Sequence, residues 1–198
     1  MFRFIRVLPL VAVMLAAAPT ATSSATTVLN ADLATMWTKV LETPSAQNPF
    51  GSGGSNASAC WSLGNRTVVP FGPNGVTSCT VTAGTAIFVA ASSVECSTFE
   101  GNGTTEAQLQ GCARQSDAKT APDVTIDGAP VLITQAETRL LSIVLPADNI
   151  FGQPAGMRGL SYGHGWVALL PPLSVGTHTI ASSGSAVFTT QIIVRPGR

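Results

Sequence analysis

Between residues 30 and 42 apolar side chains recur at Leu33, Met36, Trp37, Val40 and Leu41, the i, i+3, i+4, i+7, i+8 spacing of one helical face. The pattern predicts an amphipathic helix over 30–42, capped at its start by Asn30 and stopped before Pro44. Residues 43–59, TPSAQNPFGSGGSNASA, are turn formers throughout and predict an extended surface connection. Beyond them the period shortens to two. The clearest β-type runs are 86–91, 124–126, 131–134, 140–145, 166–170, 177–182 and 186–194, separated by turn signals. Asp127-Gly128 predicts a hairpin, because both turn positions tolerate positive φ. The stretch TTEAQLQGCARQ predicts one short helix capped by Thr104 or Thr105. Short strands at this spacing predict a mainly β fold, a β-sandwich with an N-terminal helix and one short second helix.

Ahead of these elements the pattern is of another kind. Residues 1–25 combine a basic start at Arg3 and Arg6, an apolar run over 7–18, and a small-residue exit, Ser23-Ser24-Ala25. This is the layout of a secretory signal. The apolar run has 12 residues, against about 20 needed to span a bilayer as a helix, so it predicts export rather than anchoring. Ala25 is the preferred cleavage position and Ala18 the alternative. The expected organisation is a signal peptide over 1–25 and a single disulfide-stapled β-sandwich domain over 26–198.

Composition narrows the partners. The leader holds two of the ten basic residues and none of the ten acidic ones, so the remainder carries eight against ten, a net charge of −2. Its basic residues stand singly and form no cluster able to neutralise phosphates, which argues against nucleic acid. Charged residues are 10% of the chain, and Ser, Thr and Gly take their place. No second apolar span follows the leader. The reading is a secreted protein, extracellular or associated with the cell wall, whose partner is an extracellular protein or glycan.

Four cysteines, Cys60, Cys79, Cys96 and Cys112, lie in the middle of the chain. An even set in an exported chain predicts two disulfides with three connectivities open. Sequential pairing, Cys60 with Cys79 and Cys96 with Cys112, is favoured because each bridge then closes a short loop rich in Gly, Asn and Pro. The spacings of 19, 17 and 16 residues are far from the C-x₂₋₄-C pairs of zinc sites.

A resemblance covers most of the remaining chain. Trp37 with TPSAQNPF, then CTVTAGTAIFVAASSVECSTFE, QLQGCA, VTIDGAPV, VLPADNIFG and WVALLPPLSVGTHTI resemble, in this order, a family of exported bacterial proteins of uncharacterised activity. The corner from Pro171 to Ile180 resembles the late strands of immunoglobulin-like sandwiches in bacterial extracellular modules. The resemblance spans residues 33–194. It implies an immunoglobulin-like C-terminal region and an extracellular address, and no catalytic residue. The chain departs from the family pattern at Gly163-His164-Gly165, where an Asp-Gly-aromatic triplet is expected.

Candidate chemistry is sparse. Gly159-Leu160-Ser161-Tyr162-Gly163 matches G-x-S-x-G, but an elbow needs a strand before the serine and a helix after it, and no acidic residue follows Asp148. The stretch reads as a glycine-rich loop. His164 in that loop, with Tyr162 and Trp166 beside it, is the candidate ligand contact. His178 predicts a structural hydrogen bond at its corner. Glu95 and Glu100, or Asp127, could pair as glycan-hydrolysing carboxylates if a cleft held them 5–9.5 Å apart, that is about the spacing such enzymes use. Glu106 and Asp148 complete the acidic residues weighed as calcium ligands, without a D-x-D-x-D-G loop to concentrate them. No cofactor motif and no metal site is evident. The expectation is a non-enzymatic exported binding or structural module, with glycan hydrolysis as the alternative.

Overall fold

A computed structural model describes residues 22–51, 60–64, 66–69 and 76–197. Over these residues the chain is mainly β, with two mixed sheets, two α-helices and two disulfides. Helix α1 spans Thr22–Glu42, starting earlier than its apolar face requires. Asn30 is therefore inside the helix rather than at its cap. A single 3-10 turn follows at Ser45–Gln47, where Ser45 and Asn48 are buried; the predicted surface connection is anchored there, and its residues 52–59 lie outside the described ones. The helical face is as predicted: Leu33, Met36, Trp37, Val40 and Leu41 are all buried.

The first sheet has six strands. β1 (Trp61–Leu63), β2 (Arg66–Val69), β4 (Ala86–Ser97), β9 (Arg158–Leu170) and β7 (Thr134–Glu137) follow one another in space, and β8 (Leu141–Val144) also pairs with β9. The second sheet runs β3 (Val76–Thr82), β11 (Phe188–Arg195), β10 (Gly176–Ser183), β5 (Asp123–Ile126) and β6 (Ala129–Val131). Both sheets are mixed because β2 runs parallel to β4, and β3 parallel to β11. Asp127 and Gly128 take φ of 50° and 82° in the hairpin joining β5 to β6, as their residue types require.

Three apolar clusters hold these layers. One packs α1 on Phe88, Ala90, Ala136, Leu141, Ile143 and Val167 of the first sheet. A second joins Ile87, Val89, Ala91 and Leu170 of the first sheet to Cys79, Val81, Val124, Ile180, Ile192 and Val194 of the second. The third seats helix α2 (Glu106–Ser116) through Leu109 and Ala113 on Cys96 and Tyr162. Thr105 caps α2 in a full capping box with Gln108.

Cys60 is bonded to Cys79 and Cys96 to Cys112, the sequential pairing. The second bridge joins a strand to a helix instead of closing a bare loop, since Cys96 lies in β4 and Cys112 in α2. The largest departure from the sequence reading is β9. Its 13 residues include the whole stretch read as a glycine-rich loop, so Ser161, Tyr162 and His164 belong to the same strand as the β-type run 166–170. The 131–134 run is likewise split, into the end of β6 and the start of β7.

Candidate functional site

Strand β9 lies between β4 on one side and β7 and β8 on the other, so its side chains meet residues of three strands and α2. His164 sits opposite Val94 and Glu137 in the registers and is buried. Its Nδ1 is 2.7 Å from Asp117 Oδ2, just past the end of α2. The Asp117 carboxylate is fully buried and accepts from the Ser92 hydroxyl at 2.5 Å and the Ala118 N–H at 2.8 Å. A register shift between Ala90 and Ser92 makes this possible: Ala91 stays in the cluster between the sheets while Ser92 reaches Asp117. Trp166 donates to the Ala118 carbonyl at 2.9 Å and holds the same turn.

On the other side of His164, Nε2 lies 3.9 Å from Glu137 Oε1. Arg114 grips Glu137 with two hydrogen bonds, at 2.6 and 2.8 Å, and Tyr162 donates to it at 2.9 Å. Gln110 donates at 2.8 Å to the Tyr162 oxygen and at 3.2 Å to Glu137. The Arg114 guanidinium holds the Glu137 carboxyl below its usual range, against burial. Burial first, then the Glu137 carboxylate, pushes the Tyr162 phenol up. These are satisfied groups. Ser92 bonds the carboxylate rather than His164, so the order nucleophile, base, acid that acyl transfer needs is not formed.

Next to this network a groove of about 930 Å³ runs between α1 and the β7–β8 edge of the first sheet. Ala31, Ala34, Thr35 and Thr38 line it from the helix, and Thr138, Arg139 and Leu141 from the edge. Its volume is that of a ligand site. Two α1 side chains close its ends: Asn30 Oδ1 accepts from the Glu137 N–H at 3.1 Å, and Glu42 Oε1 from the Val144 N–H at 3.1 Å. Tyr162 is the one member of the predicted ligand-contacting trio that lines the groove; His164 and Trp166 do not. Arg139 is exposed and makes no ion pair among the described residues.

The acidic residues weighed for hydrolysis fall in two places. The Ser161 hydroxyl donates to Glu95 and the Ser97 hydroxyl to Glu100 at 3.1 Å, on either side of Cys96. Burial pushes the Glu95 carboxyl up to about 8, the Ser161 bond opposing and Glu100 reinforcing the rise. Neither Glu95 nor Glu100 lines the groove. Asp127 is in the second sheet, 2.7 Å from His178 Nδ1, while Nε2 of His178 meets the Ser174 carbonyl at 2.9 Å. Among the described residues no three His, Cys, Asp or Glu side chains gather to hold a metal ion, and no helix is long and apolar enough to cross a membrane.

Asp117, Glu137, Arg114 and Gln110 were not singled out by the sequence reading. Gln110 and Arg114 had a signal: they stand at i and i+4 on the predicted helix and share a face. Asp117 and Glu137 had none, because only β9 brings them together. The chain matches no protein-family model and no curated protein.

Proposed function

We propose that this chain is an exported, non-enzymatic binding module whose ligand seats in the groove between α1 and the β7–β8 edge. The carrying observation is the groove itself: about 930 Å³, bounded by polar side chains, with Arg139 unpaired at its wall among the described residues and no nucleophile–base pair facing it. Two disulfides suit a chain that folds in an oxidising, extracytoplasmic compartment. An immunoglobulin-like β-sandwich is the finer fold reading, supported by the cluster shared between the two sheets. Cleavage of the leader after Ala25 fits α1, because residues 25–28 are exposed and the first buried side chain is Leu29.

The test uses mature protein, residues 26–198, sedimented with cell envelopes of its source. Wild type co-sediments, Thr38→Trp in the groove loses most of that binding, and Thr80→Trp on the exposed side of β3 keeps it. Equal binding by Thr38→Trp would remove the groove from the function.

A second reading has one observation in its favour. Glu95 is held protonated near neutral pH beside Glu100, as a general acid must be. Glycan hydrolysis would show as product release from soluble cell-wall oligosaccharides that Glu95→Gln abolishes; wild type without product release ends this reading.

A further inference from the structure

The groove is closed along one side by a strand edge, and the way α1 treats that edge indicates what can enter. β7 and β8 pair end to end along β9, with Thr138 bridging them through its N–H to the Gly163 carbonyl. Among the described residues, no strand pairs with their other side. An exposed edge offers a row of backbone donors and acceptors to any extended chain, and proteins cover such edges. Here Asn30 and Glu42 take the N–H groups of Glu137 and Val144. Each side-chain oxygen stands where the carbonyl of an added strand would stand.

Between these caps, and beside the groove, the edge keeps one outward-facing strand N–H without a partner among the described residues. Alternate residues of an antiparallel ladder turn their N–H and C=O away from the partner strand. Val144 does so, since its N–H meets Glu42, and therefore Ser142 does too. Among the described residues no side chain accepts from the Ser142 N–H. The two caps are 12 residues apart on α1, about 18 Å along the helix axis, room for about five extended residues. Along that length the helix presents Ala31, Ala34, Thr35 and Thr38, side chains too short to fill the space, and Lys39, whose ammonium is turned to the Ser62 carbonyl and the Trp61 ring. Arg139 lines the groove and has no ion-pair partner among the described residues, and its guanidinium is a planar donor suited to a carboxylate.

We propose that an extended peptide segment bearing a carboxylate adds to the β7–β8 edge as a further strand, pairing with Ser142 and placing its carboxylate on Arg139. A groove between a helix and an edge strand gives this mode both its parts: main-chain pairing for affinity, side-chain contacts for selection. The inference rests on the groove being the binding site and names what binds there.

The probe is a phage-displayed library of random decapeptides, panned on the oxidised mature protein with the Thr38→Trp variant as counter-selection. Enriched peptides are synthesised and titrated calorimetrically. They are expected to carry Asp, Glu or a free C-terminus. Ser142→Pro removes the edge N–H at a position where an edge strand tolerates proline, and should weaken binding at least about tenfold. Arg139→Gln should weaken it about fivefold and flatten its salt dependence. Methylating alternate peptide amides should abolish binding in one register and spare it in the other, a readout that stands even if Ser142→Pro does not fold. The proposal is overturned by a library that enriches nothing over the counter-selection, or by peptides that tolerate methylation at every amide. It is equally overturned by a dimer of the protein that Ser142→Pro disrupts, since the occupant is then a second copy. If Thr38→Trp abolishes envelope binding while Ser142→Pro and Arg139→Gln leave it intact, the groove reading stands and the peptide reading falls.

Discussion

Glu95 shows how much one buried carboxyl can shape the pH response. Its pKa in the folded chain, about 8, is above the unfolded value of 4.5. Such a group adds stability fully at pH below 4.5, and that contribution is lost as pH rises toward and through 8. Stability in thermal melts from pH 4 to 9 should therefore fall between about pH 4.5 and 8 and level off above, and Glu95→Gln should flatten the fall, gaining on the order of a few kcal/mol over wild type at pH 9. A variant melting profile parallel to wild type across that range would remove Glu95 as the cause. The glycines of β9 act through space. A Cβ on Gly163 would meet Trp37 Cδ1 at 2.5 Å, with the Trp37 indole fixed by its hydrogen bond to Ser93 at 2.8 Å. Gly163→Ala should cost about 1–3 kcal/mol in denaturant unfolding, the usual range for overpacking. Asp117→Ala leaves His164, Ser92 and the Ala118 N–H without their buried acceptor and should cost about 3–5 kcal/mol.

Helix α2 is the element with the most separable supports. It is seated by only two buried side chains, Leu109 and Ala113. The capping box at Thr105 is worth about 1 kcal/mol, and the Cys96–Cys112 bridge, 16 residues apart in sequence, about 3 kcal/mol. Replacing both cysteines by serine should thus raise amide exchange across α2 well before the β4–β9 core, which hydrogen-exchange mass spectrometry reads directly. Because Arg114 and Gln110 ride on α2, the same variant should release Glu137 and Tyr162, and the Tyr162 phenol should then titrate lower in absorbance. Unchanged exchange in α2 would mean that the helix is held by its packing alone.

For the whole molecule, the sheets and the bridges are interwoven. Confining both disulfides to residues 60–112 suggests from sequence that reduction loosens that third first. The fold distributes them differently: Cys79 is in β3, paired in parallel with β11 of the C-terminal region, and Cys96 is in β4 at the middle of the first sheet. Reduction is expected to lower the midpoint of one cooperative transition, with tryptophan fluorescence and circular dichroism melting together; two separated transitions would contradict it. Much of this architecture was legible beforehand. The helical face from Leu33 to Leu41, most of the short strands, the Asp127-Gly128 turn and a threonine cap at 104 or 105 follow from local rules of residue type and spacing, and the favoured sequential pairing of the cysteines is the one present. The first part of β9, before Trp166, was not legible, because glycine marks a turn and a close approach with the same letter. Only the packed neighbours, Trp37 against Gly163 and Phe99 against Gly159, decide between them. The groove has the same origin: Asn30, Glu42, Glu137 and Val144 meet through the packing of α1 on the sheet. The sequence by itself determined which segments could be helix, strand and staple; the tertiary structure decided which edge stays open, since an edge exists only once every other strand has found its partner.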